Sequence, residues 1–162
     1  MDELISALLR AFTQAELNAV RAIPDGMAPH LTEPVTAVGL ESAKGLESGL
    51  YNYLGLRVYE GELRPLYGKR LQAALLLTVC CPRRLGAARC AQEADAVTAM
   101  LLEGVPGVRI TGFTEEGCVY EEKSDCFCCR MTAQAEGYLY AVADEDETEF
   151  TDFILKGAAN GQ

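Results

Sequence analysis

Apolar and polar positions alternate with a period of two over residues 71–81. One set reads Leu71, Ala73, Leu75, Leu77, Val79, Cys81, and the other Gln72, Ala74, Leu76, Thr78, Cys80. A wholly apolar face backed by a mixed one marks a strand with one side on a core, and Pro82, which cannot donate to a ladder, ends it. After Pro82-Arg83-Arg84-Leu85-Gly86 the period changes. Ala91, Ala94, Val97 and Leu101 recur at helical spacing until Gly104 and Pro106 stop them. A long strand therefore feeds a helix that can lie back over it.

The same reading places the other elements. Leu4, Ile5, Leu8, Leu9 and Phe12, continued by Ala15, Ala19, Val20 and Ile23, form one face of an amphipathic helix over residues 3–22, with Thr13 and Glu16 as a capping box if it divides in two. A Pro-containing loop follows, then a short strand at 34–40. Gly-Leu-Glu-Ser occurs at 39–42 and again at 45–48, and with Gly45 and Gly49 this stretch reads as a surface loop. Residues 56–60 read as a strand and 61–68, containing Pro65, as a turn. Alternation at 108–114, with Glu115-Glu116-Gly117 after it, predicts a hairpin returning through 118–122. A second hairpin is predicted from 126–134 to 138–142 across Ala135-Glu136-Gly137. These elements define an α+β domain over residues 1–143. Its sheet is mixed and mostly antiparallel, and its two main helices, 3–22 and 87–103, pack on one face.

Length and charge sharpen the picture. The chain has 162 residues, enough for one domain with a real core. Its net charge of −10 argues against specific binding to nucleic acid, because phosphate recognition replaces counterions with Lys and Arg. A negative wall still suits DNA that must slide past without sticking. Met1-Asp2-Glu3 lacks a basic leader, and residues 73–81, the longest apolar run, are too short for a bilayer. The expectation is a cytoplasmic chain without a membrane partner, whose 7 Cys are free thiols.

No stretch carries a catalytic motif, and no cofactor is expected. Cys126, Cys128 and Cys129, with Cys80, Cys81 and Cys90 elsewhere, are the conspicuous sulfurs. A zinc knuckle needs C-x₂₋₄-C spacing, whereas on a strand Cys126 and Cys128 share one face and Cys129 takes the other with Phe127 and Met131. They read as small packing residues, which leaves a Cys-rich metal or thiol protein as the alternative class. The sole His, His30, sits in a loop distant in sequence from every Cys. Glu115-Glu116 and Glu121-Glu122 read as solvated carboxylates. Gly68-Lys69-Arg70 lacks the Ser/Thr of a phosphate loop. Past the acidic run Asp144-Glu145-Asp146-Glu147, the chain regains Phe150, Phe153, Ile154 and Leu155. Residues 144–162 thus read as an acidic linker and a C-terminal arm or edge strand, with those four apolar residues as the candidate subunit or partner interface.

The order of helix, short strands, long strand 71–81, helix 86–103 and hairpins 108–142 resembles the tail-terminator proteins of long-tailed bacteriophages and prophages. The resemblance covers residues 1–142 and rests on element order, size and charge. Val38-Gly39-Leu40 and the closing Glu149-Phe150-Thr151-Asp152-Phe153-Ile154-Leu155-Lys156-Gly157 are also in the style of tail components. It implies a non-enzymatic virion structural protein, made in the bacterial cytoplasm and assembled into the particle. It further implies a ring, expected to hold six copies, at the end of the tail tube, with tail-tube and head-completion proteins as partners. Another tail or neck component is the alternative within this class.

Overall fold

The computed structural model describes residues 2–59, 61–142 and 154–156. An eight-stranded sheet is built around two long antiparallel partners, β4 (Glu62–Pro82) and β7 (Cys126–Val142), joined without a register shift from Leu66↔Val142 to Pro82↔Cys126. Shorter strands lie end to end along their outer sides. On the β4 side are β2 (Val35–Leu46), paired with residues 70–80, and β3 (Tyr53–Tyr59), paired with residues 62–67. On the β7 side are β6 (Val119–Glu121), β5 (Arg109–Glu115) and β8 (Ile154–Lys156), in that order from the Cys126 end. The two-residue β1 (Ala19–Val20) pairs parallel with β2, and every other pairing is antiparallel. This is the expected mixed, mostly antiparallel α+β sheet.

Two helices cover one face of it. α1 (Asp2–Gln14) contributes Leu4, Ile5, Leu8, Ala11 and Phe12, and α2 (Gly86–Glu103) contributes Cys90, Ala94, Val97, Met100 and Leu101. They meet the predicted apolar set of β4, from Leu71 to Cys81, and its register partners Cys129, Met131, Ala133 and Ala135 on β7. Alternation in β4 and helical spacing in α2 thus define the two halves of one core.

Four expectations are corrected. The first helix ends at Gln14 rather than near residue 22, although neither Gly nor Pro stops it. Glu16 takes a left-handed φ of 57°, its N–H donates to Thr13 O at 3.2 Å, and the Leu17 N–H donates to Phe12 O at 2.9 Å. That is a Schellman ending with Glu in glycine's usual place. Thr13 Oγ1 donates back to Leu9 O, so it caps nothing, and Ala19 and Val20 join the sheet instead. Second, the strand predicted at 34–40 continues through the repeated tetrapeptide to Leu46, because the neighbouring β4 offers an unbroken partner. Third, residues 61–68 are no turn. Pro65 is tolerated because only β3 pairs with β4 there, so no second ladder needs its missing N–H. Fourth, Ala135-Glu136-Gly137 is interior strand, Gly137 lying opposite Leu71, so 126–142 is one element. Likewise β5 and β6 pair with β7 rather than with each other.

Candidate functional site

Of the expected interface residues, Phe150 and Phe153 lie outside the described residues. Ile154 and Leu155 belong to β8, where Ile154 is in register with Tyr140 and Leu155 with Leu139. The acidic run at 144–147 also lies outside the described residues.

The cysteines divide as alternation requires. Cys129 faces the helices, where its thiol donates to Glu116 O at 3.0 Å. Cys126 and Cys128 face the opposite side with Cys80, forming a small second cluster under Ile23, Ala28 and Leu31. The Cys80 and Cys128 sulfurs, on directly paired residues, stand 3.6 Å apart, and Cys126 donates to Ala28 O at 3.4 Å. All seven cysteines are free, and only Cys118 is not buried. Burial pushes the Cys126 thiol up to about 11 and the Cys129 thiol up to about 12, the latter helped by nearby Glu115. The bond Cys80 makes to Cys128, with burial, raises Cys80, and the same bond lowers Cys128. A thiol held protonated is a weak nucleophile.

Structure brings the loop of His30 over this cluster, a proximity that sequence distance did not suggest. His30 itself is exposed in a short 3-10 turn, Ala28–His30. Among the described residues no group of three or more His, Cys, Asp and Glu could hold a metal ion. Glu115, Glu121 and Asp125, near β5 and β6, have ordinary structural partners. Glu121 pairs with Arg130, Thr98 donates to Glu115 at 3.2 Å, and the Tyr120 hydroxyl donates to Asp125 at 2.6 Å. Lys69 and Arg70 are exposed strand residues.

The surface that stands out is elsewhere. β4 is 21 residues long, about 70 Å at strand rise, whereas α2, with 18 residues, spans about 27 Å. The helices therefore cover only the half of β4 beyond Leu71. The other half, with β3, forms an arm whose turn is made at Gly61, φ +87°. No residue of β3, nor of β4 before Leu71, belongs to a buried core. Leu56, Val58 and Leu63 are 58%, 62% and 67% exposed. The signal was present in the sequence as Leu54-Leu56-Val58 and Leu63-Pro65-Tyr67 on either side of Glu60-Gly61. Pro65 concealed it.

No family model matches the chain, and no curated protein matches it. A solved structure described as the sheath/tube terminator of an extracellular contractile injection system, PVC, in its extended state, is similar in fold. Its TM-score is 0.50 at 12% identity, over 100% of this chain. The present chain spans 63% of that longer neighbour. The likeness speaks for a terminator-like fold. Among the described residues no helix is long and apolar enough to cross a membrane.

Proposed function

We propose that this chain is a structural component of a phage or phage-derived tail, ending the tail tube as a ring of identical copies, expected to be six. The observation that carries the reading is the terminator-like arrangement of helix, long central strand and covering helix over the whole chain. The order of elements in the sequence supports it independently. An acidic surface suits a ring through which DNA passes, because like charge keeps the duplex from adhering. Tail-tube and head-completion proteins are its partners, the role is architectural rather than catalytic, and no cofactor takes part. Assembly precedes packaging into the particle, so the free protein resides in the bacterial cytoplasm. A different tail or neck position is the second reading, since a likeness at 12% identity speaks for the fold alone.

The test compares the full-length chain with one truncated after Ala143, by light scattering at several concentrations, with and without a tail-tube protein. The reading predicts a discrete multiple of 17.5 kDa, reached alone or on the tube. A 17.5 kDa species under every condition contradicts the ring. If truncation abolishes assembly, the Phe150, Phe153, Ile154 and Leu155 segment is an interface. If it lowers only stability, β8 serves its own sheet.

A further inference from the structure

The central strands bring two thiols face to face at the end of the sheet nearest Pro82. Across the unbroken register of β4 and β7, Cys129 stands opposite Val79, Cys81 opposite Phe127 and Cys126 opposite Pro82, so Cys80↔Cys128 is the one pairing of cysteine with cysteine between them. Directly opposed residues of an antiparallel pair hold their Cα atoms about 4.5–5.5 Å apart, inside the range of about 4.4–6.8 Å that a disulfide spans. The sulfurs lie 3.6 Å apart before any bond forms. Closing that gap to a bond of about 2.05 Å is within reach of side-chain rotation.

The pair is buried but thinly covered. Cys80 and Cys128 are 7% and 5% exposed, beneath Ile23, Ala28 and Leu31 of the loop between β1 and β2. That loop is tied to the body where Arg84 donates to Thr32 O at 2.6 Å and Cys126 to Ala28 O at 3.4 Å, while the backbone N–H groups of Met27, His30 and Leu31 bond within it. A cover held in this way opens locally and admits a small oxidant.

We propose that Cys80 and Cys128 form a reversible dithiol–disulfide site, closed by a hydroperoxide and reopened by a thiol reductant, that bolts β4 to β7. Cys128 reacts first, because the bond from Cys80 holds its thiol below the ordinary value, against burial. Its thiolate attacks one oxygen of hydrogen peroxide, the O–O bond breaks to leave a sulfenic acid, and the hydroxide released takes up the thiol proton as water. Cys80 then attacks the Cys128 sulfur. The S–O bond breaks, the Cys80 proton leaves with the sulfenic hydroxyl as a second water, and two electrons have passed from the thiols to the peroxide. Cys126 does not compete, since its thiol is engaged by Ala28 O and pushed up to about 11. The new bond encloses α2, β5 and β6 in one covalent loop, which restricts the unfolded chain and so stabilises the fold. This holds whether or not the chain forms rings.

The experiment uses the full-length chain with Cys118→Ser, which removes the one cysteine that is not buried, and adds Cys80→Ala, Cys128→Ala or Cys126→Ala to it. Each protein is treated with hydrogen peroxide, quenched, unfolded and alkylated, then read by mass spectrometry, with thermal melting before and after dithiothreitol. The parent and its Cys126→Ala variant should lose two alkylatable thiols, gain a cross-link between the tryptic peptides 71–83 and 124–130, and melt about 5–15 °C higher. Dithiothreitol should reverse all three. Fragmentation of the cross-linked peptides should assign the bond to Cys80 and Cys128 whether or not the alanine variants fold. Cys80→Ala and Cys128→Ala, shown folded by their melting under reducing conditions, should give neither cross-link nor reversible rise. A native parent that keeps all its thiols under peroxide, or a cross-link that survives Cys80→Ala or Cys128→Ala, would overturn the site. A cross-link that leaves the melting temperature unchanged would overturn the bolt.

Discussion

β4 passes through two environments. Beyond Leu71, alternate residues are sealed beneath α1 and α2, and Leu75, Leu77 and Val79 are wholly buried. Before Leu71 the same strand is poorer in apolar residues, carries Glu62, Arg64, Lys69 and Arg70, and adds nothing to the buried core, and Leu63 is 67% exposed. Composition separates the two halves, since residues 71–82 hold no charge at all. Length separates them as well, because a helix rises less than half as far per residue as a strand. The body therefore has a sealed core, whereas the arm carries Leu56, Val58 and Leu63 exposed.

The largest expected effect breaks this contrast if it fails. Leu77→Ala removes a fully buried side chain and should cost about 2–5 kcal/mol. Leu63→Ala, chemically the same change, should stay within about 0.5 kcal/mol in the monomer. Urea titration of both checks it, and equal costs would mean that the arm is covered within its own chain.

Next comes the ion pair of α2. Glu93 is 6% exposed and is held by Arg89 at 3.0 Å. Arg89→Ala leaves that carboxylate without its partner and should destabilise by about 1–3 kcal/mol, less than for a fully buried pair because Arg89 reaches solvent. Arg89→Lys should recover part of the loss in the same titration.

Alkali sharpens the contrast from another side. The thiols of Cys126 and Cys129 are raised from an ordinary 9.0 to about 11 and about 12, so the native state keeps protons that the unfolded chain has released. Their contribution is fully present below pH 9 and is lost as pH rises through about 11 and about 12. Melting temperature should fall over that window. Reagents for free thiols should find Cys118 first at neutral pH and the other six on unfolding.

The smallest effect is a gain. Thr36 is wholly buried with Oγ1 unpartnered, on the face it shares with Val79. Thr36→Val should raise stability by about 0.5–1 kcal/mol, again by urea titration.

Legibility in the sequence follows the same division. The half of β4 beyond Leu71, α2, and the opposite faces taken by Cys128 and Cys129 could be read because local period and burial agree there. The helix ending at Glu16 was hidden, since a hydrogen-bonded Schellman turn formed without Gly. Ala135-Glu136-Gly137 has the chemistry of a turn, but the long partner strand holds it extended. Pro65 argued against a strand, and the argument fails because a proline at the edge of a ladder loses nothing. The arm was therefore missed, and attention fell on Phe150, Phe153, Ile154 and Leu155 as the only conspicuous apolar group outside the core pattern.

Amide hydrogen exchange, read residue by residue, tests the two-region account most directly. In the free chain, amides of β4 and β7 opposite the helices should exchange only by global opening, while those of residues 56–65 exchange orders of magnitude faster. An arm as protected as the body would contradict the account.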